Sequence, residues 1–210
     1  GRHIVETLIS LIKEQSDYDA IGISTAGQVN SKEGFIIYAN QNIPNYTGTQ
    51  IKKELEELFH VPVTVENDVN AAAMGEAIYG AGKDYKQFLM LTYGTGVGGA
   101  TVTDKEVYYG SSYSASEFGA IITHSDVRLA GNDYFDGCYE KYASTTGLVK
   151  MAMEYNPELN NGRKIFENLD DPKVNEILDR WVDEIMLGLA TLTHIYNPPC
   201  IILGGGIMVQ

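Results

Sequence analysis

The sequence has no apolar run long enough to span the hydrocarbon of a bilayer, which argues against a membrane-crossing helix. Positive charge is scarce: 15 Lys and Arg stand against 28 Asp and Glu, a net charge of −13. Neutralising a phosphate backbone takes clustered Lys and Arg, so this balance argues against a nucleic-acid partner for this chain. Cysteine is rarer still. Cys138 and Cys200 lie far apart and neither belongs to a CxxC pair, so two reduced thiols in an intracellular, cytoplasmic protein are expected. No signal peptide is expected, and internal repeats and low-complexity stretches are lacking in these residues. What remains is ordinary globular material, 210 residues with 44% apolar and 20% charged content, enough for one large domain or two modest ones.

Hydrophobic periodicity divides the chain into alternating strands and helices. Ile4, Leu8, Leu11 and Ile12 share one helical face within 3–15, and Ile51, Leu55 and Leu58 share another within 49–59, with Thr47 or Thr49 expected as its cap. Short apolar strands are expected at 20–24, 35–40, 61–67 and 88–93, with 25–34 as a loop between the first two. A helix is expected over 69–80, ATVTD and KEVYYG read as a strand hairpin, and 172–196 keeps Val174, Leu178, Trp181, Ile185 and Leu192 on one face. CIILGGGI closes the chain as a strand entering a glycine turn. The pattern is that of an α/β protein with a boundary at 82–86, between an N-terminal part (1–83) and a C-terminal part (84–210).

Three segments carry chemistry. GTGVGG (94–99) looks like a dinucleotide loop, but β-branched residues follow it where a helix would have to begin. Two readings stay open: an anion nest of backbone amides, or a tight hairpin that needs glycine. Gly204-Gly205-Gly206 ends a strand and suits either a close ligand or a sharp turn. Asp68, in VENDVN, is a helix cap or a general base at the carboxyl end of a strand, where α/β proteins place their ligands. Asn67 beside it could hydrogen-bond a polyol. Glu117 and Glu140, set among small residues, suit sugar hydroxyls or plain solvent.

Taken together the segments resemble the ROK family (repressors, open reading frames and sugar kinases). The resemblance rests on GISTAGQVN, VENDVNAAAMGEA, LTYGTGVGGA, SEFG, GCYEKYAS and ILGGGI in collinear order over essentially the whole chain. It implies the actin-like ATPase/sugar kinase (ribonuclease H-like) α/β fold, two lobes around a cleft, present here in part. It further implies ATP-dependent phosphorylation of a hexose or amino sugar, as in glucokinases, fructokinases and N-acetylmannosamine kinases, with Mg²⁺ accompanying ATP. Asp68 would be the catalytic base. Asn67, Glu117 and Glu140 would hold the sugar, with Gly27 and Asn40 at its wall. Gly94, Thr95, Gly96 and Gly98 would face the phosphates, and Gly205 and Gly206 the nucleotide. A homodimer would be in keeping with the family.

Two departures qualify these expectations. Zinc-containing members have ExGH followed by CxCGxxGC; here Ala120 stands at the His position and the cluster reads Gly131, Asn132, Asp133, Tyr134, Phe135, Asp136, Gly137, Cys138. One thiolate does not make a tetrahedral site, and the spacing of His124, Asp133 and Cys138 does not recommend a substitute, so no zinc is expected. The family's DxGGT loop and its closing helices are also absent from this chain, so a fragment of this extent is expected to be catalytically poor. The alternative function is the sugar-sensing domain of a ROK-type transcriptional repressor; a third is an inactive interaction protein with an actin-like core.

Overall fold

A computed structural model describes residues 1–130 and 133–209. The chain divides into two compact units, Gly1–Ala72 with Tyr109–Ala115, and Ala73–Tyr108 with Ser116–Gln210.

The first unit begins with α1 (Arg2–Lys13), followed by β1 (Ile21–Thr25), β2 (Gln28–Asn30), β3 (Phe35–Tyr38), α2 (Ile51–Phe59) and β4 (Val63–Asn67). β1 and β4 pair in parallel, Ile21 opposite Val63 through Thr25 opposite Asn67. β2 and β3 form a separate antiparallel ribbon. β2 lies in the segment expected to be a loop. Val29 is its only buried residue, so three residues offer too little alternation to read as a strand. Val29, Ile36, Tyr46, Ile51, Leu55, Val63 and Val65 make the core. Neither expected threonine caps α2. Gln50 holds the cap position without a side-chain bond, while Thr49 donates its hydroxyl to the Tyr46 carbonyl and Thr47 accepts the Ala39 N–H.

α3 (Asp68–Ile78) leaves β4 without an intervening loop, and the division between units falls inside it, at Ala72/Ala73. The expected boundary at 83/84 lies further on. The difference has a physical cause: the Lys105 ammonium donates to the carbonyls of Ala77 and Gly82, both 3.1 Å away, and to that of Lys83, tying the end of α3 to the second unit.

The second unit holds a four-stranded sheet in the order β7-β6-β5-β8: β5 (Gln87–Tyr93), β6 (Val97–Thr103), β7 (Glu106–Val107) and β8 (Ile201–Gly204). β5 pairs antiparallel with β6 and parallel with β8. Of the expected KEVYYG strand only Glu106–Val107 pairs; Tyr109 onward belongs to the first unit. The helices are α4 (Ser125–Ala130), α5 (Glu140–Ala143), α6 (Thr145–Tyr155), α7 (Gly162–Phe166) and α8 (Pro172–Tyr196), with 3₁₀ turns at Phe118–Ala120 and Gly206–Val209. α8 has its N-cap at Asp171, which accepts the Lys173 N–H, and Pro172 at its first position, where a missing N–H costs nothing. It buries Val174, Ile177, Trp181, Ile185 and Leu192 against Leu89, Leu91, Tyr139 and Leu148. No described helix is long and apolar enough to cross a membrane.

Candidate active site

In the first unit the strand-to-helix turn is held by Asn67. Its Oδ1 accepts the N–H groups of Val69 (2.9 Å) and Asn70 (3.2 Å), which makes Asn67 the N-cap of α3. Its Nδ2 donates to the carbonyl of Gly27 at 3.0 Å. Asn70, the other amide of the turn, donates instead to Glu66 Oε1 at 3.2 Å. Asp68, first residue of α3, is therefore relieved of the capping duty; it is exposed, and its Oδ1 accepts only the adjacent Val69 N–H at 3.0 Å. A carboxylate there is also favoured by the helix dipole. Gly27 sits at φ +102°, and a Cβ on it would lie 2.9 Å from the Tyr38 carbonyl oxygen, so the close approach of β2 and β3 requires glycine. Asn40 is exposed beyond β3, its Oδ1 accepting the Asn42 N–H at 3.1 Å in an Asx turn.

In the second unit the glycine loop joins β5 to β6, as the β-branched residues after it suggest. Gly94, Thr95 and Gly96 form the turn, closed by a 3.0 Å bond from the Gly94 N–H to the Gly96 carbonyl. Gly98 lies outside the turn, paired with Thr92 in the ladder. Of the four residues expected to face the phosphates, Gly94, Thr95 and Gly96 thus lie in the turn and Gly98 lies in β6. α6 abuts the turn: the Thr145 N–H donates to the Gly94 carbonyl at 2.9 Å and the Thr146 hydroxyl to the Thr95 carbonyl at 2.7 Å. Ser144 caps α6 by accepting the Gly147 N–H at 3.1 Å.

Turn, helix start and the final glycines enclose a cavity of about 580 Å³, lined among others by Gly94, Thr95, Thr146, Asn161, Arg163 and Gly206. That volume lies in the usual range for small-molecule sites. Two of its glycines are not explained by packing, because a Cβ on Gly94 or on Gly206 would meet nothing within 4 Å. Gly205 is different: at φ +101° its added Cβ would strike the Tyr93 carbonyl oxygen at 2.1 Å, so it is held to glycine by β5. The contribution of Thr145, Thr146 and 160–163 was not read from sequence. The Ser-Thr-Thr-Gly run at the head of an apolar helix was the available signal.

Glu140, at the head of α5, reaches over both Gly96 and Gly119: a Cβ on Gly96 would lie 2.6 Å from its Oε2, and one on Gly119 3.3 Å. Glu117 is exposed as a residue, yet crowding of its carboxyl by the protein raises its pKa above the ordinary glutamate range, and the Glu140 charge adds to the rise. The folded state thus holds the Glu117 proton more tightly than the unfolded chain, so its ionisation opposes folding as pH rises through the carboxylate range. Glu117→Gln is accordingly expected to leave the melting temperature at pH 7 unchanged or slightly raised, with the difference vanishing in acid. A fall of several degrees at pH 7 in a thermal melt would contradict this.

Of the positions that align with the zinc cluster of zinc-containing family members, Gly131 and Asn132 lie outside the described residues. Asp133 pairs with Lys141 at 3.2 Å. His124 stacks on Tyr142 with centroids 3.7 Å apart, its Nε2 3.5 Å from Glu184 Oε1. The Cys138 thiol is buried, and burial pushes its pKa up. Among the described residues no three His, Cys, Asp or Glu side chains converge as a metal site.

The ROK family's sequence model matches residues 2–210. The chain belongs to the ROK family. Its similarity to the glucokinase of Halalkalibacterium halodurans is 32% identity over 93% of this chain and 63% of that protein. To the beta-glucoside kinase of Listeria monocytogenes it is 31% over 99% and 71%. The crystal structure of a ROK glucokinase from Streptomyces griseus, in complex with glucose and AMPPNP, superposes with a TM-score of 0.82 at 31% identity, covering 99% of this chain and 72% of that one. This chain thus spans roughly two thirds of the length of these ROK relatives. Its fold class is that of the actin-like sugar kinases, as the resemblance implied.

Proposed function

We propose that this ROK protein transfers the γ-phosphoryl group of ATP to a hydroxyl of a hexose or amino sugar, with Asp68 as general base. The observation that carries the reading is the cavity of about 580 Å³ in which two glycines, Gly94 and Gly206, leave open space where a side chain would fit. The Streptomyces griseus glucokinase, whose structure holds glucose and AMPPNP, supports it. Thr95 and Gly96 would offer backbone N–H groups to the phosphates, and the α6 start beside them adds the favourable end of a helix dipole. Arg163 would lie against the nucleotide.

Glu117 and Glu140 would accept hydrogen bonds from sugar hydroxyls. Asn67 keeps one amide hydrogen after capping α3 and bonding Gly27, enough for a single sugar contact. Asp68 would take the proton of the attacking hydroxyl as the new P–O bond forms. Mg²⁺, which neutralises charge on the transferring group when bound, would be held largely by the nucleotide phosphates and water.

Gly206→Val tests the nucleotide assignment without disturbing the fold, because the new side chain enters empty space. Calorimetry with AMPPNP is expected to show at least about a tenfold loss of affinity at an unchanged melting temperature. Unaltered binding would remove the cavity from the nucleotide site.

A further inference from the structure

Glu66 collects three donors around the turn that carries Asp68. Its Oε1 accepts the Asn67 N–H at 2.7 Å and the Asn70 Nδ2 at 3.2 Å, while its Oε2 accepts the Tyr109 hydroxyl at 2.7 Å. Strand alternation explains its direction: Val63 and Val65 of β4 turn into the core, and Glu66 takes the opposite face. Tyr109 opens the segment Tyr109–Ala115, which leaves the second unit's sheet and returns to the first. That segment has another tie, from Gln28 Nε2 to the Ser112 carbonyl at 2.5 Å. Charge-assisted bonds of this kind are the stronger ones, and three on one carboxylate determine its position fully.

We infer that Tyr109 and Glu66 are positioning residues, which together hold the Asn67–Asn70 turn so that the Asp68 carboxylate keeps its aim. The inference rests on the reading of Asp68 as the base, and it assigns two further residues to hold that base through the turn beneath it. Asp68 needs such outside support. Its own carboxylate is held by a single neighbouring N–H, so its direction is set by the backbone beneath it. Asn67 fixes that backbone from the Gly27 side, and Glu66 fixes it from the Tyr109 side. The Tyr109 phenol, pushed up to about 12 by burial first and by Glu66 next, stays a donor across the whole neutral range. A loose base is costly, since a misplacement of about 1 Å can lower turnover on the order of a hundredfold.

The experiment is steady-state kinetics on the full-length protein for Tyr109→Phe, Glu66→Gln, the double variant and Asp68→Asn. Tyr109→Phe keeps the ring and loses one hydroxyl, so folding is preserved; kcat is expected to fall about tenfold while KM for sugar and ATP holds within about twofold. The double variant is expected to be no slower than Glu66→Gln alone, because Tyr109 acts through Glu66. Additive losses, or a KM change without a kcat change, would overturn the inference. The two failures separate cleanly: collapse of Asp68→Asn with a normal Tyr109→Phe defeats only the positioning role. Near-normal turnover of Asp68→Asn defeats the assignment of the base itself.

Discussion

Asp68→Asn should lower kcat by about 10²–10⁴-fold, the range that a general base contributes, while sugar and nucleotide affinities hold. Asparagine is close in shape and keeps an oxygen to accept the Val69 N–H that now holds Asp68 at 3.0 Å. The helix start does not depend on position 68, because Asn67 performs the capping. The variant therefore removes proton acceptance and leaves the turn intact. Residual turnover would come from bringing the two substrates together and from charge stabilisation at the phosphates. The measurement is kcat and KM with calorimetric sugar affinity on the same preparation. Turnover within a few-fold of the parent would show that Asp68 serves the helix alone.

Trp181→Ala should cost about 3–5 kcal/mol of stability, as truncation of a buried tryptophan typically does. Trp181 is 5% exposed on α8 and packs in the same core as Leu148, Ile177 and Ile185. Its indole N–H is shared between the carbonyls of Ala143 (2.9 Å) and Ser144 (3.2 Å), where α5 ends and α6 begins. That joint has Glu140 on one side and Thr145 and Thr146 on the other. Trp181→Phe would keep most of the bulk but leave the Ala143 carbonyl without its donor, for a loss of about 1–3 kcal/mol. It should also weaken AMPPNP binding, because the α6 start forms part of the cavity. Urea denaturation with the linear extrapolation separates the two variants. A cost below about 1 kcal/mol for Trp181→Ala would contradict the role assigned to this side chain.

How much of this was legible in sequence depended on the range of the forces involved. β5, β8 and α8 were legible because burial imposes a period or an unbroken apolar run on neighbouring residues. That GTGVGG joins two strands was legible for the same reason, since Thr101–Thr103 are β-branched where a helix would have had to start. The capping of α3 was not. VENDVN offers three side chains able to cap, and only the pull of Gly27 on Asn67 and of Glu66 on Asn70 separates them. The cavity was half legible: its glycines could be named, but Thr146 meets Thr95 from 51 residues away. Tyr109 was invisible for a similar reason, since nothing in KEVYYG marks the point where the chain leaves β7 for the first unit.

Transfer of phosphate from ATP to a sugar is measured by incubating the full-length protein with ATP, Mg²⁺ and a panel of hexoses and amino sugars, and following ADP and sugar phosphate together by mass spectrometry. At least one sugar is expected to yield the two products in equal amounts, and Asp68→Asn to suppress both. ATP and sugar binding by full-length protein with no sugar phosphate from any member of the panel would contradict that transfer.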